Sequence, residues 1–324
     1  MISESLSSNN IYLKCLEVLK MRLFLQLALS LTLIFSAGQV SARDLPEIKK
    51  SGVLRHIGVP YANFVNLYSE GGKQIQGGLD VELIQGFAAH LGLKYQFVSA
   101  QWSTVFGLLN GRNAQYINNQ IVWGEEVAIE GDILANGATI LEWRKEVVDF
   151  SDAYFPSAVW LIARTDSQLQ PIIPSGQINE DIRQVKAMLK GHDVLAMKQS
   201  CLDPDLYNME LTDANIILPT RERKLNEMVP AIINNDAEST LLDVPDALIA
   251  LQKWSDEIKV IGPISPAQQM AIGFRKDSPQ LRAAFNAYLK KIRADGSYNI
   301  MVEKYYPSVF HFYGNFFSPA TEEI

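Results

Sequence analysis

Residues 131–154 read GDILANGATILEWRKEVVDFSDAY, in which a turn of small residues joins two short apolar runs. Gly137 and Thr139 lie in the turn, and Arg144 follows five residues after the threonine. Small residues let backbone N–H groups approach an anion, and the planar fork of a guanidinium binds both oxygens of a carboxylate. The pattern therefore predicts a carboxylate clamp, against the simpler alternative that Arg144 is a surface side chain on a loop.

The overall composition is that of an ordinary globular protein with one large domain or two smaller ones. The chain has 324 residues, of which 48% are hydrophobic and 20% charged. Its net charge of -7 argues against binding to nucleic acid or to an anionic membrane surface. The four histidines are far apart, and no pair has the spacing of metal ligands on one helix, so we expect neither a metal site nor a cofactor.

The N-terminal segment has the features of a secretory signal peptide. Met21 and Arg22 precede an apolar run over residues 23–37, and small residues follow up to Ala42. We expect cleavage after Ala42, with residues 1–20 as an upstream extension. The alternative is an uncleaved membrane anchor, for which the run is short, because a span needs about 20 apolar residues.

Alternating strand and helix patterns predict an α/β fold with a mostly parallel sheet. Two predicted crossing strands, at residues 157–163 and 270–274, flank a second set of strands and indicate two lobes joined by two hinge strands. Proteins built in this way bind a ligand between the lobes by hinge closure. Residues 111–131 form a long insertion, for which a short hairpin at residues 120–127 is one possibility.

The stretch quoted above resembles the T-x-x-x-x-R-x-x-x-V-D-F-S signature of family 3 periplasmic solute-binding proteins, the amino-acid receptors of ABC importers. Four further segments match in the same order and, with the first, cover nearly all of the chain after residue 42. They are residues 47–59, 78–98, 241–245 and 271–306. The resemblance implies a two-lobed periplasmic binding protein fold of type II, with lobe one over 43–163 and 270–324 and lobe two over 164–269.

The resemblance also assigns roles to individual residues. Arg144, Thr139 and Gly137 match positions that bind the ligand's carboxylate, the glycine through its backbone. Asp243, at the end of a predicted strand, matches the group that binds the ligand's ammonium. The alternative role for Asp243 is to cap the helix that begins after it.

Other matching positions surround the rest of the ligand. Tyr61 and Trp102 match aromatic positions that stack on a ligand side chain, and the alternative for either ring is a place in the core. Ser200 lies in a segment that corresponds to a Gly-Ser-Thr turn, with Gln199 in place of the glycine. Val59 and Pro60 stand where relatives often have an acid, which argues against a basic ligand.

The function implied is capture of an amino acid or similar small carboxylate and its delivery to an ABC transporter permease, by a periplasmic monomer without catalytic activity. One alternative is an enzyme that resembles cyclohexadienyl dehydratases, with Glu125, Glu126 or Glu142 as the general acid. Another is a sensory module related to the N-terminal domain of membrane-bound lytic transglycosylases. Those transglycosylases carry a second, catalytic domain. We expect no such domain in the residues up to Ile324, and therefore no cleavage of peptidoglycan by their mechanism.

Overall fold

The structure is a computed structural model that describes residues 43–118, 120–220 and 223–318. The predicted signal peptide, with its upstream extension, lies outside the described residues. At the start of the described chain, Asp44 caps the first helix and Glu47 completes a capping box. Gly52 ends that helix in a left-handed conformation, with φ of 71°.

The helices and strands alternate along most of the chain, as the sequence predicts. The helices are α1 (Leu45–Ser51), α2 (Leu79–His90), α3 (Val105–Asn110), α4 (Glu142–Val147), α5 (Ile178–Ala187), α6 (Met228–Ile233), α7 (Val244–Lys253), α8 (Pro279–Ala294), α9 (Ser297–Tyr305) and α10 (Val309–Phe317). The strands are β1 (Val53–Gly58), β2 (Asn66–Glu70), β3 (Lys73–Gly77), β4 (Lys94–Ser99), β5 (Arg112–Ile117), β6 (Gln120–Glu126), β7 (Ile133–Leu134), β8 (Asp149–Phe150), β9 (Phe155–Ser157), β10 (Val159–Arg164), β11 (Asp193–Leu195), β12 (Asn215–Ile217), β13 (Ser239–Asp243), β14 (Ile258–Pro263), β15 (Gln268–Met270) and β16 (Gly273–Phe274). Short 3-10 helices lie at Pro204–Tyr207, Met209–Thr212 and Leu225–Glu227.

Two five-stranded sheets among the described residues form the two lobes. The first has the order β4-β1-β7-β16-β8, and the second has the order β12-β11-β13-β10-β14. In each sheet three neighbouring strands run parallel to one another. In the first sheet β16 runs antiparallel to both of its neighbours, and in the second sheet β10 does so. The type II two-lobed fold predicted from the sequence is thus the observed one.

A two-stranded antiparallel ribbon connects the lobes. It pairs β9 with β15, so that Phe155 faces Met270. The sequence placed the first crossing strand at residues 157–163 and ended lobe one at residue 163, but residues 159–164 form β10, a central strand of the second sheet. The continuous apolar run of that segment is typical of a strand with neighbours on both sides. We therefore propose that lobe one ends near residue 158.

The insertion at residues 111–131 is built around an antiparallel hairpin of β5 and β6. Residues 120–126 form a single strand of it, so a hairpin within 120–127 alone was wrong. Backbone hydrogen bonds from Val127 to Gly111 (2.9 Å) and from Glu130 to Leu108 (2.8 Å) fix the base of the hairpin against α3.

The core of the first lobe is organised around β1. Its residue His56 is fully buried and contacts β4 on one side and the residue that follows β7 on the other. Nε2 lies 2.6 Å from the carbonyl oxygen of Ala135, and Nδ1 lies 2.8 Å from the hydroxyl of Tyr95. Burial lowers the pKa of His56 to about 4, so the imidazole is neutral near pH 7. Within the described residues, no helix is long and apolar enough to cross a membrane.

Candidate functional site

A cavity of roughly 690 Å³ lies between the lobes, at the carboxyl ends of parallel strands from both sheets. Loops that follow parallel strands are the usual ligand sites of open α/β sheets. Its first wall consists of residues that follow β1 and β4, and its second of residues that follow β11 and β12. Its lining includes Val59, Pro60, Trp102, Lys198, Gln199, Ser200, Arg223, Lys224 and Glu227.

Arg144 lies in α4 and is almost completely buried, with 1% of its surface exposed. Its Nη1 donates a hydrogen bond to the carbonyl oxygen of Thr139 (3.0 Å), and its Cζ lies 5.2 Å from the centre of the Trp102 ring and 5.4 Å from that of Trp143. Its Nε has no hydrogen-bond partner among the described residues. Burial lowers the pKa of Arg144 from its usual value. The arginine is thus a buried cation that lies over two aromatic rings, not a surface side chain.

The turn before Arg144 is joined to the hinge. Ala271 donates to the carbonyl oxygen of Ala138 (3.0 Å), and Thr139 pairs with Met270 in an antiparallel bridge. The Thr139 hydroxyl is buried and has no hydrogen-bond partner among the described residues, so it is available to a ligand.

Gly137 differs from the expectation that its backbone N–H binds the ligand. That N–H donates instead to Oδ2 of Asp80, 2.7 Å away, and the same oxygen accepts a hydrogen bond from the hydroxyl of Tyr154 (2.7 Å). Asp80 is fully buried at the start of α2, where its Oδ2 accepts both hydrogen bonds and its Oδ1 has no partner among the described residues. Gly137 therefore shapes the turn through its φ of 65°, and its N–H is used within the lobe.

Asp243 is the last residue of β13 and is 1% exposed. Its Oδ2 accepts a hydrogen bond from the hydroxyl of Tyr61 and lies 3.4 Å from Sγ of Cys201, whereas its Oδ1 has no partner among the described residues. It occupies the position before α7, where the backbone N–H of Asp246 acts to lower the pKa of the carboxylate without the geometry of a capping hydrogen bond. The carboxylate thus points into the interface between the lobes.

A second buried carboxylate lies one turn further on. Burial, reinforced by the charge of Asp243, raises the pKa of Asp246 well above its usual range, and burial also raises the pKa of Asp243 itself. Two carboxylates so placed disfavour ionisation of both at once.

Tyr61 and Trp102 lie together on the first wall. The Tyr61 ring stacks on Phe64 (5.7 Å between centres) and meets the edge of Trp102 (6.3 Å), while its hydroxyl reaches Asp243. Tyr61 is therefore engaged on both its ring and its hydroxyl, whereas Trp102 lies over Arg144 and also lines the cavity.

Ser200 lines the opposite wall, but its hydroxyl is used within its own turn. Oγ donates to the carbonyl oxygen of Met197 (2.8 Å) and accepts from the N–H of Leu202 (3.0 Å). Gln199, which replaces the expected glycine, adopts the left-handed conformation that a glycine would take, with φ of 61°.

The acids considered for an enzyme lie elsewhere. Glu125 and Glu126 are exposed on β6, and Glu142 is exposed and paired with Lys145 (2.7 Å). None of the three lines the cavity. No cluster of three metal-ligating side chains exists in the part of the chain that the structure describes.

Four residues of the site were missed by the sequence analysis: Asp80, Trp143, Cys201 and Tyr207. Asp80 and Trp143 lie inside segments that carry the resemblance, so their positions in those segments could have indicated that they belong to the site. Cys201 lies in the segment that corresponds to the Gly-Ser-Thr turn, so position was a signal for it as well, whereas Tyr207 lies outside the matched segments. The carbonyl oxygen of Cys201 accepts a hydrogen bond from the hydroxyl of Tyr207, 2.5 Å away, in the 3-10 helix after the turn.

The curated relatives include proteins named for binding amino acids and a transglycosylase about twice as long as the part that this chain matches. The lysine/arginine/ornithine-binding periplasmic protein of Escherichia coli is 24% identical over 302 residues, which span 89% of this chain and 98% of that protein. The membrane-bound lytic murein transglycosylase F of Desulfosudis oleivorans is 21% identical over 270 residues, or 83% of this chain but only 52% of that protein.

Solved structures show the same fold. The ancestral amino acid-binding protein AncCDT-1, described as a precursor of cyclohexadienyl dehydratase, aligns with a TM-score of 0.60 and 22% identity over 81% of this chain and 98% of its own. The family model of the bacterial extracellular solute-binding proteins, family 3, matches residues 128–308, which is more than half of the chain. The match includes Arg144, Asp243 and both strands of the hinge ribbon, and the chain belongs to this family.

Proposed function

We propose that this protein is a periplasmic solute-binding protein that captures an amino acid or a related small carboxylate by closure of its two lobes. The observation that carries the proposal is a pair of opposite charges buried on opposite lobes. Arg144 has no carboxylate within 4 Å among the described residues, and Asp243 has one oxygen without a partner. A buried guanidinium is costly unless an anion pairs with it, so a ligand carboxylate stabilises the closed form.

A zwitterion fits this arrangement because each of its charges meets the opposite lobe. The carboxylate binds the Arg144 fork and the Thr139 hydroxyl, and the ammonium binds Asp243. The ammonium then competes with the Tyr61 hydroxyl for the Asp243 carboxylate. Closure is coupled to binding because only the closed form brings both partners to the same ligand.

The cavity beside these charges favours a neutral or acidic side chain over a basic one. Val59, Pro60 and Trp102 give the first wall no acid, and Glu227 is the only acid among the described lining residues. The second wall contributes Lys198, Arg223 and Lys224, of which the first two are paired with Asp205 (2.5 Å) and Asp236 (2.7 Å). Although the E. coli relative is named for basic amino acids, we infer that this protein discriminates against them.

The proposal has four further parts. The protein binds its ligand without turnover, delivers it to an ABC permease, is exported by a cleaved signal peptide and is a monomer. The family membership supports the transport role. The placement of Glu125, Glu126 and Glu142 away from the cavity supports a binding protein over a dehydratase. The names of the relatives, which include periplasmic and extracellular binding proteins, support the location.

The test is a thermal-shift panel on residues 43–324, unfolded and refolded to remove any bound ligand. The panel contains the twenty L-amino acids, dipeptides, prephenate and a muropeptide. A ligand present at 100 times its dissociation constant should stabilise the protein by about 2.7 kcal/mol. The response should disappear in Arg144→Ala and persist in Arg112→Ala, which removes an arginine placed over the ring of Trp123 on the hairpin.

The outcomes separate the candidate functions. A shift with neutral or acidic amino acids that depends on Arg144 supports the proposal. A shift with arginine above all others would overturn the ligand class. A response to prephenate alone, followed by its turnover, or to a muropeptide alone would replace the proposal with the enzyme or the sensory module.

A further inference from the structure

Four side chains form a continuous stack that runs from the cavity into the inserted hairpin. The Cζ atom of Arg144 lies over the ring of Trp102, 5.2 Å from its centre, and over the ring of Trp143, 5.4 Å from its centre. Tyr116 then stacks on Trp143, with ring centres 5.6 Å apart and planes inclined by 10°. We call Trp102, Arg144, Trp143 and Tyr116 the clamp stack. Its last member belongs to the insertion, whose role the sequence left open.

The guanidinium has few other constraints on its orientation. Among the described residues it makes one hydrogen bond, from Nη1 to Thr139, and no ion pair within 4 Å. A fork held by one bond can rotate about it unless its faces are packed. The rings of Trp102 and Trp143 supply that packing, since cations and flat guanidinium groups are attracted to aromatic faces.

Tyr116 is held firmly enough to support Trp143. It lies within β5, opposite Ile121 of β6, and the base of the hairpin is fixed to α3 by the two backbone hydrogen bonds described above. Phe106 of α3 meets the Trp143 ring at its edge, 5.4 Å away and inclined by 74°. Phe106 therefore limits sideways movement, whereas Tyr116 covers the face of the ring.

We propose that the hairpin of β5 and β6 positions the carboxylate-binding arginine, with Tyr116 acting on Arg144 through Trp143. The proposal rests on the proposed function and deepens it, because it assigns the insertion to ligand affinity. Tyr116 does not touch the ligand and is a positioning residue. Loss of its ring leaves one face of Trp143 unsupported, and the fork of Arg144 then samples orientations that do not match a carboxylate.

The experiment compares Tyr116→Ala, Tyr116→Leu and Tyr116→Phe with Trp123→Ala, all in the protein over residues 43–324. Trp123→Ala removes a large ring from the same hairpin that is 43% exposed and is not part of the stack. The first measurement needs no ligand: it is the ¹H–¹⁵N resonance of the Arg144 Nε–H, assigned through Arg144→Lys. The second is the dissociation constant of the best ligand in the thermal-shift panel, by calorimetry.

We expect the Nε–H resonance to move or broaden in Tyr116→Ala and Tyr116→Leu and to stay in place in Tyr116→Phe and Trp123→Ala. Affinity should fall by about two- to twelvefold in the same two variants, the range that corresponds to one aromatic pair. Tyr116→Leu keeps an apolar side chain, so it can replace Tyr116→Ala in both measurements if the alanine variant does not fold.

Three results would overturn the inference. They are an unchanged resonance in Tyr116→Leu, an unchanged affinity despite a moved resonance, and an equal loss of affinity in Trp123→Ala or Tyr116→Phe. If the unsubstituted protein binds none of the panel, the proposed function fails on its own, while the resonance still tests whether Tyr116 fixes Arg144.

Discussion

The hydroxyl of Tyr61, in the first lobe, donates a hydrogen bond to Oδ2 of Asp243, in the second lobe, so two buried side chains join the lobes across the cleft. The residues are 182 positions apart in sequence. The bond occupies one oxygen of the carboxylate that the proposed ligand ammonium needs. It therefore favours closure without a ligand and competes with ligand binding at the same time.

Tyr61→Phe should shift the ligand-free protein towards an open form. The substitution keeps the ring on Phe64 and removes the bond between the lobes, and a hydrogen bond to a charged group contributes about 1.5–3 kcal/mol. The radius of gyration of the ligand-free protein, from small-angle X-ray scattering, should rise. Tyr95→Phe is the matched control, since its hydroxyl bonds His56 within one lobe. Equal radii for the unsubstituted protein and Tyr61→Phe would show that the bond does not hold the lobes together.

Gly137→Ala should destabilise the protein through both its backbone and its neighbours. The glycine has φ of 65°, and an added Cβ would lie 2.5 Å from Cδ2 of Phe64 and 2.8 Å from Cε1 of Tyr61. Overpacking of this kind costs about 1–3 kcal/mol, in addition to the cost of a left-handed alanine.

Gly72→Ala isolates the backbone contribution to that loss. Its φ is 77°, and no atom lies within 4 Å of the added Cβ. Urea unfolding should therefore give a larger loss for Gly137→Ala than for Gly72→Ala. Equal losses would mean that Phe64 and Tyr61 move aside without cost, and the turn would then be less tightly packed than it is here.

Gln199→Gly should stabilise the protein, because a glutamine in the left-handed region is strained. Gln199 has φ of 61°, and its N–H, which a glycine retains, donates to Asp203 (2.8 Å). An L-residue in this region costs roughly 1–2 kcal/mol, of which the greater freedom of an unfolded glycine offsets a part. The midpoint of urea unfolding should rise.

Asn235→Gly provides the comparison for that gain. Its φ is 63°, but asparagine tolerates the left-handed region better than glutamine does. A gain in Asn235→Gly as large as that in Gln199→Gly would show that the turn at Gln199 carries no particular strain.

The sequence predicted the parts of the site that depend on local pattern. Arg144 was identified from its spacing to Thr139 and from the apolar runs around it, and both residues are buried with a polar atom that has no partner among the described residues. The partner of the Gly137 N–H was not predictable in this way, because Asp80 is 57 residues away and meets it only after α2 packs. Aromatic residues were expected around the site, but local pattern does not reveal that Tyr116 stacks on Trp143.

The same limit applies to the lobe boundary. Residues 157–163 form an apolar run, and periodicity does not distinguish a strand that crosses between lobes from a central strand of either sheet. The distinction depends on hydrogen bonds to β13 and β14, which lie far along the chain. Long-range pairing therefore determined the features that the sequence missed.

Asp80 should make the stability of the folded protein depend on pH between about 4 and 7. Burial raises its pKa to about 7 against the opposing effects of the Tyr154 hydroxyl and the Gly137 N–H. The unfolded chain releases this proton near pH 3.8, so over this range the folded state binds more protons and the free energy of unfolding falls as pH rises. His56 acts in the opposite direction between pH 4 and 6.5, because burial lowers its pKa to about 4.

Asp80→Asn separates the two effects, because an amide oxygen can still accept from Gly137 and Tyr154 but does not titrate. Relative to the unsubstituted protein, the variant should gain stability as pH rises from 4.5 to 7.5. The gain is bounded by about 4 kcal/mol, since one pKa unit corresponds to about 1.4 kcal/mol. Tyr154→Phe should extend the falling range to higher pH, because it removes a donor that favours the ionised carboxylate. Parallel urea-unfolding profiles for Asp80→Asn and the unsubstituted protein would show that Asp80 is ionised throughout, held by its two donors despite its burial.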